Sequence, residues 1–579
     1  MLRCALLLVV LSASSVAGAP IDLRFKDDHF LIRSLKDFPE RKAIVIVFVD
    51  SGCPLAKRYF PTLQSLETTY RSKGVQFLAI HTDSTARLVE VAGLGLEHQL
   101  EFPIVRDIDG QCVAKLKVER TPEVVILDAE HKVRYQGRID DQFRTSGSRN
   151  TPTRHDLREA IDDVLAGKEV RVPTTTVDGC LITKQESVND PSITYSEHIA
   201  PIMNRYCVEC HRADAVGPFV LTDFAAVKKR AKSIGEVVID GQMPPWFGAP
   251  GHDHFANRRV PSASEREQVT KWVRSGMPEG DRSKLPKAPT FPDMRDGWQI
   301  SKPDVILETQ EFEIPAQGDV TYQYAVLPSV FFSESWLSEI QILPDNPRVV
   351  HHSNMAFASL SKQFDMSNFV TGYVPGGEPM ELQNKVAYRL PKLSILALQI
   401  HFVTTGKPEK CKLRVGLKYA NGEVRQQLRF LLFDPHRFQI PAHAPAHRVD
   451  AQYTLDCNAV GVGLFTHMHL RGKSMTFRAT PPTGEKKTLL MIPNYDFEWQ
   501  IPYVWEPEKH RFPKGTKIEC SATYDNSAFN PFNPAPDKVV RYGDQTRDEM
   551  MNGFFFYVDA DENLKLDIDG KTGQPKVKK

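Results

Sequence analysis

The chain lacks an excess of charge of either sign, because 73 Lys and Arg residues stand against 72 Asp and Glu residues. It also lacks a basic run interleaved with aromatic residues, and both absences argue against a nucleic-acid partner. Cysteine is scarce, at nine in 579 residues, which excludes a small disulfide scaffold. The length and the 41% hydrophobic content instead predict a multidomain globular protein.

Long hydrophobic runs are also missing, except at residues 1–19. Arg3 gives this segment a positive start, an apolar stretch follows, and small residues up to Ala19 offer cleavage points. This anatomy predicts a secretory signal peptide, with an N-terminal anchor as the alternative. We therefore expect a periplasmic or extracellular protein with no integral membrane segment after cleavage.

Residues 20–170 alternate strand-like and helix-like segments, which favours an α/β sheet. The apolar run Ala43–Val49 is typical of a buried parallel strand and leads into Cys53-Pro54 and a helical stretch. Thr121-Pro122 precedes a later strand. Because a helix N-terminus lowers the pKa of a thiol, Cys53 is a candidate reactive thiol.

These residues resemble the thioredoxin and peroxiredoxin-like family, which implies a thioredoxin-like fold with a cis Pro122 beside Cys53. Two residues depart from the family pattern. Ala56 stands at the second cysteine position of Cys-x-x-Cys, and Asp50 replaces the peroxiredoxin threonine. Cys112 is either the partner that resolves Cys53 or a structural thiol. A fold kept only for docking or stability is the alternative to active thiol chemistry.

Residues 188–285 contain Cys207-Val208-Glu209-Cys210-His211, the signature of c-type haem attachment. Two thiols one helical turn apart reach the two vinyl groups of one porphyrin edge, and His211 then stands under the iron as an axial ligand. Met243 is the candidate sixth ligand, because two following prolines hold it in an extended loop.

This segment resembles small bacterial cytochrome c domains, which implies an all-α domain with one covalent haem and Met–His ligation suited to electron transfer. Helical stretches at 197–206 and 264–275 fit that frame. One alternative is a zinc site made of Cys207, Cys210, His252 and His254. The other is a plain disulfide between the two cysteines.

From residue 295 onward, strand-like runs separated by turn residues are typical of β-sandwiches. The length predicts two tandem all-β sandwich domains, at 295–440 and 441–579.

Three histidine clusters lie on these predicted strands: His351-His352, His401 and His467-Met468-His469. Residues i and i+2 of a strand share a face, so His467 and His469 can bind one metal ion without distortion. The adjacent pair His351-His352 can do so only where the strand is bulged or frayed. Imidazoles with a thioether suit copper.

The region resembles the copper type II, ascorbate-dependent monooxygenases, the family of peptidylglycine α-hydroxylating and dopamine β-monooxygenases. The resemblance implies two copper ions, one in each sandwich, separated by a solvent gap. The ligands that it implies are His351, His352 and His401 for the electron-transfer copper, and His467, His469 and Met550 (or Met551) for the oxygen-activating copper.

That family is cross-linked by several disulfides, whereas this region holds only Cys411, Cys457 and Cys520. A bridge between Cys457 and Cys520 is one pairing that the sequence allows. The partner of Cys180 stays open.

As a whole, the chain resembles bacterial multidomain proteins that join a redoxin-like domain, a cytochrome c domain and a copper monooxygenase domain. This implies an exported monooxygenase that hydroxylates a C–H bond of a small-molecule or peptide-like substrate with O2. We expect the haem to relay electrons from an external donor to copper, beside or in place of ascorbate. Two alternatives stay open: an electron-transfer or copper-handling protein without hydroxylase activity, and a thiol-disulfide oxidoreductase that uses Cys53.

Overall fold

The structure is a computed structural model that describes residues 20–38, 41–183, 189–213, 215–252, 255–291, 297–359 and 365–576. The predicted signal peptide at 1–19 lies outside these residues. The chain divides into two compact units, Met1–Ala86 with Leu94–Gln185 and Arg87–Gly93 with Glu186–Lys579. No helix in the described part of the chain is long and apolar enough to cross a membrane.

The N-terminal region alternates strands and helices, as its sequence predicts. Its strands are β1 (Arg24–Lys26), β2 (Ile32–Ser34), β3 (Ala43–Val49), β4 (Val75–His81), β5 (Ile104–Asp107), β6 (Arg120–Thr121), β7 (Glu123–Asp128), β8 (Val133–Gly137), β9 (Phe143–Arg144), β10 (Gly147–Ser148) and β11 (Cys180–Leu181). Its helices are α1 (Pro54–Tyr70), α2 (Leu88–Glu97), α3 (Gln111–Leu116) and α4 (Asp156–Leu165).

Seven of these strands form one mixed sheet in the order β2-β1-β5-β4-β3-β7-β8. β3 lies inside the sheet, parallel to β4 on one side and antiparallel to β7 on the other, and all of its residues are buried. A strand with both faces covered has no polar side, which explains its unbroken apolar sequence. The Thr121–Pro122 peptide bond is cis, as the resemblance implied.

A small helical cluster opens the second unit after residue 189. It consists of a π-helical turn (Tyr195–Ile199) followed by α5 (Ala200–Tyr206), α6 (Phe224–Lys229), α7 (Ala231–Asp240) and α8 (Ala263–Arg274). Ser262 and Glu265 form a capping box that starts α8. Ile199, Val269 and Trp272 are fully buried in its core. Both helices predicted in this segment are therefore present.

The rest of the described chain is mostly β-sheet, as predicted. The strands before residue 430 are β12 (Val305–Glu308), β13 (Phe312–Ile314), β14 (Gln323–Phe331), β15 (Ser335–Pro344), β16 (Val350–Ser359), β17 (Phe369–Tyr373), β18 (Met380–Glu381), β19 (Val386–Leu390), β20 (Ser394–Phe402), β21 (Glu409–Cys411), β22 (Leu413–Tyr419), β23 (Gly422–Val424) and β24 (Gln426–Gln427). They form two main sheets, β12-β22-β15-β19-β24 with β18 on β15, and β14-β20-β16-β17. Leu337 and Leu398, one from each sheet, belong to the same core.

A second pair of sheets follows. Its strands are β25 (Arg429–Phe433), β26 (Gln439–Ile440), β27 (His447–Thr454), β28 (Ala459–His467), β29 (Gly472–Thr480), β30 (Lys487–Ile492), β31 (Tyr503–Val504), β32 (Arg511–Phe512), β33 (Lys517–Tyr524), β34 (Val540–Arg541), β35 (Asn552–Asp559) and β36 (Leu566–Ile568). The main sheets are β25-β35-β28-β31 with β32 on β28, and β27-β33-β29-β30. Phe433 and Phe477, one from each sheet, pack with ring centroids 5.8 Å apart.

Leu327 and Val326 are neighbours in β14 with opposite exposure, at 1% and 62%. We expect Leu327→Ala to lower the free energy of unfolding by about 2–5 kcal/mol, because it removes buried methyl groups and leaves a cavity. Val326→Ala is the matched control and should change it by less than about 0.5 kcal/mol. Urea unfolding of the full chain measures both. Equal midpoints for the two variants would contradict this assignment of the core.

Candidate functional site

Cys53 lies between β3 and α1, as the residue before the first turn of that helix. Its Sγ lies 3.1 Å from the carbonyl oxygen of Thr121 and 2.7 Å from the Sγ of Cys180. Burial by itself would raise the pKa of the Cys53 thiol, but hydrogen bonds with the side chains of Cys180 and Thr121 outweigh it, so this pKa lies below its usual value. The surroundings therefore favour a thiolate at Cys53.

Cys112, the candidate partner of Cys53, lies elsewhere in the first unit. It is fully buried in α3, and its Sγ donates to the carbonyl oxygen of Arg24 at 3.3 Å. Burial, together with the negative charge of Asp107, raises the pKa of its thiol. Cys112 is therefore a structural thiol, and the sulfur that the fold brings to Cys53 belongs to Cys180.

The Cys-x-x-Cys-His motif follows α5 in a tight turn. The amide of Cys207 donates to the carbonyl of Met203, and the amide of His211 donates to the carbonyl of Cys207. Nδ1 of His211 lies 3.1 Å from the carbonyl oxygen of Phe219. Because a carbonyl only accepts, Nδ1 carries the proton and Nε2 keeps the lone pair that an axial ligand needs.

Gly217 lets the chain pass very close to His211. A Cβ at this position would lie 2.8 Å from Nδ1 of His211 and 2.6 Å from the carbonyl oxygen of Cys210. Phe219 stacks on the imidazole with ring centroids 4.6 Å apart. Burial lowers the pKa of His211, which keeps the ring neutral. These residues fit the axial side of a covalently attached haem.

The two alternatives for this motif do not fit the structure. Cys207 and Cys210 are free thiols, so the plain disulfide is not formed. Within the described ranges, Cys207, Cys210 and His252 do not converge as metal ligands. His254, the fourth residue of the zinc alternative, lies outside the described residues.

Met243 lies in a turn, so the expectation of an extended loop is wrong. Gly241 ends α7 with a positive φ of 78° and folds the chain back. The amides of Gln242 and Met243 then both donate to the carbonyl of Val237, at 2.9 and 3.2 Å. The role of Met243 as sixth haem ligand stays a prediction.

His351, His352 and His401 offer ligand atoms that all lie within 4.8 Å of one another, and all three residues are buried. Nδ1 of His351 lies 2.9 Å from Nδ1 of His352 and 3.3 Å from Nδ1 of His401. The pairing register of β16 with β20 shifts between Val350 and His352. This is the bulge that the sequence required for two adjacent histidines to share one metal ion.

His467 and His469 lie at and just beyond the end of β28, with ring centroids 5.1 Å apart. Nδ1 of His467 lies 2.7 Å from Oε1 of Gln500, and Nδ1 of His469 lies 3.1 Å from the carbonyl oxygen of Asp548. Both acceptors fix the proton at Nδ1 and leave the lone pair at Nε2. Nε2 of His469 is buried and has no hydrogen-bond partner in the described part of the chain, as expected of a metal ligand.

Burial favours the neutral ring at His352, His401, His467 and His469. Burial, followed by the charge of neighbouring imidazoles, lowers the pKa of His352 far below its usual value and that of His401 to about 3. Burial also lowers the pKa of His467 to about 4 and that of His469 well below its usual value. Neutral imidazoles keep the lone pairs that metal binding needs.

The two histidine groups touch, so the expectation of sites separated by a solvent gap is wrong for this structure. The rings of His352 and His467 have centroids 5.4 Å apart. Nε2 of Gln500 lies 3.4 Å from Nδ1 of His352, and Phe497 stacks on His351 at 4.6 Å. The segment that follows β30 thus fills the space between the groups. We call the five histidines the histidine cluster.

Met550 and Met551 lie just before β35, whose first residue, Asn552, pairs with His467. The ladder between β28 and β35 ends at that pair, so neither methionine belongs to it. The choice of Met550 or Met551 as the thioether ligand stays a prediction. Both methionines are buried.

Glu549 is a fully buried carboxyl group that the sequence analysis missed. It accepts from the amides of His469 and Arg471, at 3.0 and 2.7 Å. Burial raises its pKa to about 8. The buried Arg471 guanidinium in turn donates to Oδ1 of Asn526 and to the carbonyl of Arg547. This network holds the loop that carries His469.

Three other residues at the histidine cluster were also missed. Gln500 contacts His467, Tyr322 places its hydroxyl 3.1 Å from Nε2 of His352, and Glu498 lies 3.2 Å from Nε2 of His351. None belongs to a local motif, because each meets its histidine only through tertiary packing.

The cysteines of the β-sheet region are unpaired. Cys411, Cys457 and Cys520 are free thiols, and Cys520 is fully buried in β33. The bridge between Cys457 and Cys520 that the sequence allows is therefore not formed.

A family model described as the AhpC/TSA family matches residues 17–136. Two curated proteins, each named thiol-disulfide oxidoreductase ResA, come from Bacillus thuringiensis subsp. konkukian and Bacillus cereus. Each is 27% identical over 99 residues, which cover 17% of this chain and 56% of the relative. The chain thus spans about half the length of the curated relatives that it matches.

Two solved structures also match part of the chain. A hypothetical protein SMc02350 from Sinorhizobium meliloti is 23% identical, with 31% of this chain and 98% of that chain covered and a TM-score of 0.28. A secreted disulfide oxidoreductase of Mycobacterium tuberculosis is 18% identical, with 25% and 95% covered and a TM-score of 0.19. On the family match and the geometry around Cys53, the N-terminal part of the chain is a thioredoxin-like redoxin domain of the AhpC/TSA family.

Proposed function

We propose that the chain is an oxidoreductase whose first unit performs thiol–disulfide chemistry at Cys53. The observation that carries this proposal is the position of Cys53 at the N-terminus of α1, with a pKa below its usual value. The amides of a first helical turn stabilise a thiolate, and a thiolate is the species that attacks a disulfide. The two curated relatives named as thiol-disulfide oxidoreductases support the same reading.

A second function, copper-dependent oxidation in the second unit, is favoured by the histidine cluster. Bound copper would supply one-electron steps and, in the family that this region resembles, hydroxylation of a C–H bond with O2. The chain's part is to hold His351, His352 and His401 as one donor set and His467 and His469 as another. Burial lowers the pKa of His401 and of His467, which keeps these two rings neutral, and Gln500 fixes the ring of His467.

A cavity of about 950 Å³ offers room for a small substrate of this second function. Met550 and Asn552 line it on one side, and Tyr324 and Tyr453 line other parts of its wall. The cavity therefore adjoins the start of β35 and Met550, the proposed thioether ligand. Mixed aromatic and polar walls are typical of sites that bind small molecules.

The proposed haem would supply single electrons to this unit, and Cys207, Cys210 and His211 would hold it. The chain that follows Met243 packs on the second pair of sheets. Trp246 meets Tyr503 at 4.9 Å, and the amide of Ala256 donates to the carbonyl of Val504 at 2.8 Å. These contacts support an electron path from the residues that would hold the haem toward Gln500 and the histidine cluster.

Export remains part of the proposal, because residues 1–19 have the pattern of a signal peptide.

For the thiol function, Cys53→Ser in the full chain should abolish reduction of insulin with dithiothreitol as the reductant. Serine cannot form the thiolate that attacks the insulin disulfides. The rate of insulin precipitation measures the activity. Cys112→Ala is the matched control and should keep the wild-type rate, because Cys112 lies in α3 away from Cys53. A Cys53→Ser rate equal to that of the wild-type chain would exclude thiol chemistry at this site.

For the copper function, Gln500→Leu should weaken copper binding about 10–100-fold, because His467 loses the acceptor that fixes its ring. Titration of the full chain with Cu(I) against a competing chelator measures the affinity. Gln383→Leu, at an exposed position, is the control and should bind copper as the wild-type chain does. Unchanged affinity in Gln500→Leu would mean that Gln500 does not position a copper ligand.

A further inference from the structure

Cys180 lies in a short strand that follows the redoxin fold. β11 pairs antiparallel with β6, and Cys180 stands opposite Thr121 in that register. The amide of Ile182 donates to the carbonyl of Glu119, and the guanidinium of Arg120 donates to the carbonyl of Gly179. The segment is therefore fixed on both sides of Cys180.

Gly179 makes this close approach sterically feasible. A Cβ at position 179 would lie 2.4 Å from the carbonyl oxygen of Thr121, which no side chain tolerates. The same carbonyl oxygen lies 3.1 Å from the Sγ of Cys53. β6 thus holds Cys53 and Cys180 against one backbone position, with their sulfur atoms 2.7 Å apart.

The two sulfur atoms differ in their electrostatic surroundings. The pKa of Cys53 lies below its usual value, because hydrogen bonds outweigh the effect of burial. Burial, together with the hydrogen bond to Cys53, raises the pKa of Cys180 to about 11. Cys53 is therefore the thiol that attacks first, and Cys180 is the thiol that stays protonated until later.

We propose that Cys180 is the resolving cysteine of Cys53, a role that rests on the proposed thiol function. In the first step, the Cys53 thiolate attacks a substrate disulfide, forms a mixed disulfide and releases one substrate thiolate. In the second step, the Cys180 thiol loses its proton to solvent and attacks the Cys53 sulfur. A Cys53–Cys180 disulfide forms and the second substrate thiolate leaves. The substrate disulfide gains two electrons, which the two cysteines supply.

This role explains how a redoxin with Ala56 in place of a second motif cysteine can complete its cycle. Ala56 is fully buried in α1, and Cys112 is buried in α3, so neither position supplies a sulfur to Cys53. β11 holds Cys180 beside Cys53, so the Cys180 thiol lies within reach of the Cys53 sulfur when the mixed disulfide forms.

The test uses the reduced full chain and 5,5′-dithiobis(2-nitrobenzoate), an aromatic disulfide, as the probe. In the wild-type chain, mass mapping of the Cys53 peptide should find it linked to the Cys180 peptide, with two thiol anions of the probe released for each pair. In Cys180→Ser, Cys53 should keep the aromatic adduct at least about tenfold longer, because no neighbouring thiol displaces it. Cys112→Ala should behave as the wild-type chain.

The outcomes separate the two proposals. A wild-type adduct on Cys53 that persists as long as the adduct in Cys180→Ser would overturn the resolving role, while the reactive Cys53 would stand. A Cys53 that reacts in neither chain would overturn the thiol function and this inference with it. The wild-type peptide map does not depend on how well any variant folds, and Cys180→Ala repeats the comparison with a second side chain.

Discussion

The burial of imidazole rings in one shared space is the constraint on which the second unit depends. A ring that is removed from water must regain its hydrogen bonds inside the protein. His467 and His469 each regain one, from Gln500 and from the Asp548 carbonyl, and the other nitrogen of His469 has no partner among the described residues. A metal ion would satisfy such a nitrogen, which supports the proposed copper site.

Neither pair of sheets completes this cluster alone. The bulge in β16 turns His351 and His352 to the same side, where His401 of the neighbouring β20 joins them. The other two histidines come from the end of β28, held by the buried pair of Glu549 and Arg471. The segment around Phe497 and Gln500 lies between the two groups. The cluster therefore depends on the packing of one sandwich against the other.

In the first unit, the corresponding constraint is the placement of two sulfur atoms, those of Cys53 and Cys180. Cys53 is placed by the helix start that Pro54 favours, whereas Cys180 arrives from a strand beyond the redoxin fold. The electrostatic contrast between them follows from their positions, because the helix N-terminus and the hydrogen bonds favour a thiolate only at Cys53. Thiol chemistry in one unit and a buried imidazole cluster in the other are both consistent with an oxidoreductase.

The sequence by itself determined those features whose residues are close along the chain. These include the strand β3 before Cys53, the turn that carries Cys207, Cys210 and His211, and the shared face of His467 and His469. Local spacing and strand periodicity are enough for these, because they depend only on backbone geometry. Tertiary structure alone decided the partner of Cys53, the contact between His352 and His467, and the place of Gln500. Those contacts join segments that are distant in sequence, and only the packing of whole sheets brings them together.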